Sequence, residues 1–306
     1  MGEITDALRR ARQESERGIE SRRASDQRPD ATQEAAARTA MPPGSGESSP
    51  PLDPPLEAAV RGGESDVHIP DLKEGPWAGH AVLADQHGRF AVHFRQFALR
   101  VGRELERRGT RAVLVTSAMN QDGKTTTACN LALAMASMAA GRRIALVELD
   151  LRRPAISQAL GVPRPKAGFG FGRVLRGEAP LEAAVLRTDA GVDLFLVERP
   201  VDKAHEILAR PECSASIRAL LRSYDQIVFD TPPVLAVPDV SLIVPHVEAC
   251  LTVARAGATP LSAFRAMIEV LPSEKVIGAF VNNAHAHRDL ARYNHYYDSR
   301  EDAGAE

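Results

Sequence analysis

The sequence predicts an α/β fold, with a mainly parallel central sheet covered by helices on both faces. Two observations carry this. From about residue 90 onward, short apolar runs rich in Val, Ile and Leu alternate with helical stretches. That order implies parallel strands joined by helical crossovers. The run at 113–136, VLVTSAMNQDGKTTTACNLALAMA, passes from an apolar strand through a polar loop into a stretch with the spacing of a buried helix.

The elements follow in order. Residues 90–107 put Phe90, Phe94, Phe97, Val101 and Leu105 at helical spacing. Residues 112–116 (AVLVT) read as a strand, 125–140 as a helix and 143–149 (RIALVEL) as a second strand. Further strands are expected at 192–197, 226–230, 250–254 and 276–282, and a helix at 260–271. Before this domain the texture differs. The first aromatic residue is Trp77, and residues 41–55 (MPPGSGESSPPLDPP) hold six prolines. Such a stretch buries too little apolar surface to offset its ordering entropy. Near the start, Ile4, Ala7, Leu8 and Ala11 have the spacing of a short amphipathic helix within 3–20. The expected organisation is a disordered arm over 1–75, one domain over 76–285 and a flexible tail over 286–306.

Composition excludes several classes. A net charge of -2 on 306 residues does not fit a general nucleic-acid binder. The three cysteines lie far apart, without the spacing of a zinc site or a disulfide scaffold, which fits a reducing cytoplasm. No run of 18 or more apolar residues predicts a membrane span, and the N-terminus lacks the apolar core of a secretory signal. Aromatic residues make up only 5% of the chain, and of four tyrosines three (Tyr293, Tyr296 and Tyr297) fall in the last fourteen residues.

Three places carry chemistry. Gly123-Lys124-Thr125 opens a helix directly after a strand and a polar loop. Backbone N–H groups and the helix N-terminus there face an anion, a lysine reaches β/γ-phosphates and a Thr hydroxyl ligates Mg²⁺. The nucleotide contacts are expected from Asp122, Gly123, Lys124, Thr125 and Thr126. The usual first glycine of this pattern is Ala118 here. Second, IVFDTPP at 227–233 is an apolar strand ending in Asp230, an acid placed to hold a Mg²⁺ shell. Third, ALVELDLRRP at 145–154 ends a strand in Glu148 and Asp150, which alternation puts on one side, followed by Arg152 and Arg153. Two carboxylates there suit metal binding and proton acceptance, and an arginine suits charge on a transferring phosphoryl group.

With these motifs in this order, the chain resembles bacterial tyrosine kinases of exopolysaccharide and capsule synthesis, within the deviant-Walker branch of P-loop NTPases. The resemblance runs from about 94 to 283 and includes LRGEAPLEAAV, HEILARPE and VIGAFVNNA as well as the three sites. It implies that Gly123, Lys124 and Thr125 form the Walker A core, Asp230 the Walker B acid, and Asp150 and Arg152 the second acid and the arginine of Walker A′. It implies that Tyr293, Tyr296 and Tyr297 are autophosphorylated, with ATP and Mg²⁺ as cofactors. Catalytic roles then fall to Lys124, Glu148, Asp150, Arg152 and Asp230, and metal ligation to Thr125, Asp150 and Asp230. It further implies a membrane polysaccharide co-polymerase that activates the chain and recruits it to the inner face of the plasma membrane, and a homo-oligomer.

The chain departs from that pattern at three points. Asn120-Gln121-Asp122 stands where the family usually has Pro-Gly-x. Glu148 replaces the first Walker A′ aspartate; a carboxylate displaced by about one ångström can lower a rate about 10²-fold. Of the ring-forming motif ExxRxxR only Arg95 remains, flanked by Val92 and Ala98. The alternative reading is a nucleotide-switched ATPase or scaffold without kinase activity.

Overall fold

The computed structural model describes residues 89–138 and 141–284. In chain order the elements are α1 (Arg89–Arg108), β1 (Ala112–Ser117), α2 (Lys124–Met138), β2 (Ile144–Glu148), α3 (Ile156–Leu160), α4 (Phe171–Leu175), β3 (Val185–Arg187), β4 (Val192–Phe195), α5 (Ala204–Leu208), α6 (Pro211–Ser223), β5 (Gln226–Asp230), α7 (Asp239–Ile243), β6 (Cys250–Arg255), α8 (Leu261–Val270) and β7 (Val276–Asn282). The seven strands form one sheet in the order β3-β4-β2-β5-β1-β6-β7. All neighbours are parallel except β3, which runs antiparallel to β4 at the edge.

The central strands are buried on both faces, which is why they read as continuous apolar runs. On one face, Val113 and Val115 of β1, Leu146 of β2, Val228 of β5 and Val253 of β6 pack under α1, α2 and α3. Residues 127–135 of α2 are buried without a break, so this helix shows no polar stripe. Helix α1 is amphipathic, with Ala98, Val101 and Leu105 inward and Phe90 and Leu99 exposed. Its Phe94 and Phe97 stack on Phe280 of β7, with ring centroids 5.4 and 4.8 Å away.

The other face carries α6, which begins at Pro211, a residue suited to a first helical turn. Its Cys213, Ser216, Ile217 and Leu220 face inward at i, i+3, i+4 and i+7. Phe171, Phe195 and Tyr224 form an edge-to-face chain there, at 5.4 and 5.7 Å. Tyr224 is buried; its hydroxyl donates to Asp193 at 2.7 Å and the Arg143 guanidinium lies over its ring.

The strand order positions the site. From β1 the chain crosses to β2, returns through β5 into the gap between them, and leaves on the far side through β6. Ligands of open parallel sheets bind beyond the carboxyl ends of the strands at such a reversal. The ends of β1, β2 and β5 hold the sequence-predicted residues. The helix expected within 3–20, the linker at 41–55, the domain boundaries and the three tail tyrosines lie outside the described residues.

Candidate active site

The loop between β1 and α2 is built from side-chain ties as much as from glycine. Gly123 has φ +94°, and a Cβ there would collide with the Asn282 amide, so both its conformation and its space exclude other residues. Gln121, at the usual glycine position, takes a left-handed φ of 67°. This is unfavourable for a residue with a Cβ, by roughly 1–2 kcal/mol. The Ser117 hydroxyl donates to the Met119 carbonyl at 2.8 Å. The N–H of Met119 donates to Asp122 Oδ2 at 2.9 Å, and the Thr259 hydroxyl donates to Asp122 Oδ1 at 2.7 Å. The Asp122 carboxylate therefore props the loop from within. Among the five residues expected to touch nucleotide, its side chain is engaged within the protein frame.

Lys124 opens α2 and reaches across to β2, where its Nζ lies 2.9 Å from Asp150 Oδ2. Burial works to lower the Lys124 pKa, but the charges of Asp230 and Asp150 outweigh it and raise the value above the ordinary range. The second Asp150 oxygen accepts the Arg153 N–H at 3.1 Å. The Thr125 hydroxyl is 3.4 Å from Lys124 Nζ. Thr126 sits in the same turn, its carbonyl accepting the Asn130 amide at 2.8 Å.

Asp230 ends β5, fully buried, with its backbone carbonyl accepting the N–H groups of Leu149 and Asp150. Neither carboxylate oxygen has a hydrogen-bond partner of ordinary geometry among the described residues. Burial pushes its pKa up to about 6, against the pull of Lys124 and Thr125. A buried carboxylate left so short of partners needs an explanation, and a cation supplies one. Magnesium takes one or two protein carboxylates and completes its shell with water and phosphate. Asp230, Asp150 and the Thr125 hydroxyl fit that donor set.

Two side chains expected to be catalytic are engaged in the frame instead. Glu148 accepts the Ile156 N–H through Oε1 and the Val197 N–H through Oε2, each at 2.9 Å. It ties β2 to the start of α3 and to the end of β4. Burial lifts its pKa to about 7, while those two N–H groups oppose the rise. Glu148 and Asp150 thus have different partners, backbone N–H groups of α3 and β4 for the one and Lys124 for the other. Arg152 donates to both oxygens of the buried Asp239, at 2.8 and 3.1 Å, and to the Asp202 carbonyl at 3.0 Å. It fastens the end of β2 to α7. Arg153 is exposed, and its guanidinium makes no ion pair among the described residues.

Sequence reasoning missed Asn282, Thr259 and Asp239. Asn282 donates its amide to the Asp122 carbonyl at 3.1 Å. Only its place at the end of the last strand, beside a second asparagine, marked it. At the former ring-forming motif, Ala98 is buried in the core under α2, so that position cannot make an intermolecular contact.

No family model matches the chain. It is 28% identical over 192 residues to the tyrosine-protein kinase YwqD of Bacillus subtilis, covering 62% of this chain and 77% of that one. It is 27% identical over 222 residues to the succinoglycan biosynthesis transport protein ExoP of Rhizobium meliloti, covering 70% of this chain. The kinase domain of VpsO superposes with a TM-score of 0.55 at 27% identity, covering 65% of this chain and all of that domain. The chain's relatives include bacterial tyrosine-protein kinases. Its fold is that of their kinase domains, and the phosphate loop, Lys124, Asp150 and Asp230 lie within it. The chain spans most of YwqD but only 27% of ExoP. No helix among the described residues is long and apolar enough to cross a membrane.

Proposed function

We propose that the chain is an ATP- and Mg²⁺-dependent protein-tyrosine autokinase acting in exopolysaccharide or capsule production. The observation that carries this is the convergence of Lys124, Asp150 and a fully buried Asp230, whose oxygens have no hydrogen-bond partner of ordinary geometry among the described residues, on one glycine-bearing phosphate loop. Names of relatives in the two kinase and polysaccharide classes agree with it.

Lys124 and the amides at the start of α2 hold the β/γ-phosphates of ATP. Magnesium, when bound by Asp230, Asp150 and Thr125, neutralises charge on those phosphates. Lys124 Nζ lies 2.9 Å from Asp150 Oδ2, which places the ammonium between that carboxylate and the start of α2. A tyrosine hydroxyl has a pKa of about 10 and needs an acceptor for its proton. Asp150, which lies beside Lys124 at the phosphate loop while Glu148 is tied into the frame, is that acceptor. Arg153, next to it in space and without an ion pair among the described residues, or Arg152, faces the transferring phosphoryl group.

The acceptors are Tyr293, Tyr296 and Tyr297. The fourth tyrosine, Tyr224, is sealed in the core, with burial pushing its hydroxyl pKa far up. Each phosphate adds about -1.5 to -2 charge, so a modified tail repels its neighbours in an assembly. A membrane co-polymerase supplies recruitment to the inner face of the plasma membrane and completes the site. Transfer of labelled γ-phosphate to tyrosine tests the reading. Asp150→Asn and Lys124→Ala abolish it, while Glu148→Gln retains it if folded. Loss with Glu148→Gln and retention with Asp150→Asn would reverse the assignment of the acceptor.

A nucleotide-switched ATPase without kinase activity is the second reading. The strained Gln121 and the locked Glu148 favour it. Nucleotide turnover without phosphotyrosine, with the membrane partner present, would establish it.

A further inference from the structure

The phosphate loop lacks glycine at two usual positions, Ala118 and Gln121, yet it still turns through a left-handed residue at Gln121. Something outside the loop must over-determine that shape. The next residue supplies the link. Asp122 is buried at 3% exposure, and three separate groups fix it. Its Oδ2 accepts the Met119 N–H from the loop itself. Its Oδ1 accepts the Thr259 hydroxyl at 2.7 Å, from the connection between β6 and α8. Its backbone carbonyl accepts the Asn282 amide at 3.1 Å, from the end of β7.

Thr259 is held in turn, because its oxygen accepts the Arg255 N–H at 2.7 Å. A hydroxyl that accepts a backbone N–H and donates to a carboxylate has a defined direction. Asn282 also presses on Gly123, the residue immediately before Lys124. The two supports therefore act at the hinge of the loop and at the root of α2.

We propose that Thr259 and Asn282 are positioning residues for nucleotide, and that they set the phosphate loop through Asp122. This rests on the reading that the loop holds nucleotide phosphates. Without the Thr259 hydroxyl, Asp122 Oδ1 is a buried anionic oxygen without a partner, next to the place where phosphate charge arrives. The carboxylate then turns, the Met119 N–H loses its acceptor, and Gln121 relaxes out of the left-handed region. Neither residue needs to touch the nucleotide for this.

The test measures binding of a fluorescent ADP analogue with Mg²⁺ by the full chain, alongside thermal unfolding. Thr259→Val keeps the shape and removes the hydroxyl; it weakens binding by about tenfold, the scale of one hydrogen bond to a charged group. Thr259→Ser keeps the hydroxyl and restores wild-type affinity. Asn282→Ala weakens binding as Thr259→Val does. In a double-mutant cycle, Asp122→Ala with Thr259→Val loses less than the two single changes combined, because they remove one bond.

Wild-type affinity in Thr259→Val, equal weakness in Thr259→Ser, or additive losses in the cycle would overturn the proposal. If Thr259→Val does not fold, Thr259→Ala removes the hydroxyl without filling the site, and the same outcomes decide. Failure of the wild-type chain to bind nucleotide would sink both this proposal and the kinase reading. Binding that responds as described, with no phosphotyrosine formed, would sink the kinase reading alone.

Discussion

Replacing Asp230 by asparagine separates the cost of its buried charge from its use. The folded-state pKa stands at about 6 against an ordinary 3.8, chiefly because burial disfavours the ionised form. At about 1.4 kcal/mol per pKa unit, the gap is worth roughly 3 kcal/mol. The direction follows from the raised value. The folded protein holds its proton longer than the unfolded chain does, so below about pH 4 the group costs nothing. As pH rises from about 4 to about 6, the unfolded chain ionises first and the folded state loses stability. Above about 6 the full loss is present. Asp230→Asn, of nearly the same shape, removes this dependence. Urea unfolding with a chelator present, run from pH 4 to pH 8, should show wild-type stability lose roughly 3 kcal/mol more than the variant over that range. Adding Mg²⁺ and ADP at a hundredfold excess over Kd should stabilise the wild type by about 2.7 kcal/mol and leave the variant unchanged. Parallel pH curves for the two proteins would refute the buried-charge argument. Equal stabilisation by Mg²⁺ and ADP would refute the cation site.

Other expectations follow from the same geometry. Arg152→Met leaves the fully buried Asp239 without its partner and should destabilise the fold by about 3–5 kcal/mol in urea unfolding, with little change in nucleotide affinity. A large fall in affinity with stability retained would restore Arg152 to the site. Gly123→Ala forces a Cβ into the Asn282 amide at a left-handed φ, and nucleotide titration should show binding weakened at least tenfold, roughly the cost of such strain. Glu148→Gln can satisfy only one of the Ile156 and Val197 N–H groups and should lose about 1–3 kcal/mol of stability at pH 8. Unchanged stability in that variant would show that the two bonds do not hold β2 in place.

The strands of the fold were legible because the sheet is buried on both faces. The stretches 226–230 and 276–282 were read to the residue, since the apolar core Ile227-Val228-Phe229 marks β5 and the run from Val276 to Val281 marks β7, although β7 is only half-buried. The edge strand Val185–Arg187 was missed. At three half-buried residues it is too short to show a period, and its antiparallel pairing with β4 is set by tertiary contact. The short helices α3, α5 and α7 left no periodic signal for the same reason.

In the site, sequence located residues but not the direction of their side chains. Lys124 and Asp150 meet as their motifs imply. Arg152 stands in its motif position, yet its partner is Asp239, 87 residues away, and no local pattern announces that bond. Glu148 alternates with Asp150, but the strand ends at Glu148, so the alternation argument stops there. The loop sequence Asn120-Gln121-Asp122 looked like a departure that might deform the site. The structure shows a left-handed Gln121 and an inward Asp122 bridged to Thr259.

The central claim is that the chain phosphorylates its own tail. The direct measurement is peptide-resolved mass spectrometry of the full chain after incubation with ATP and Mg²⁺, with and without the proposed membrane partner. The account predicts phosphate on Tyr293, Tyr296 or Tyr297, none on the buried Tyr224, and none anywhere in Lys124→Ala. Phosphate on Tyr224, or a tail that stays unmodified with the partner present while ATP is consumed, would contradict it.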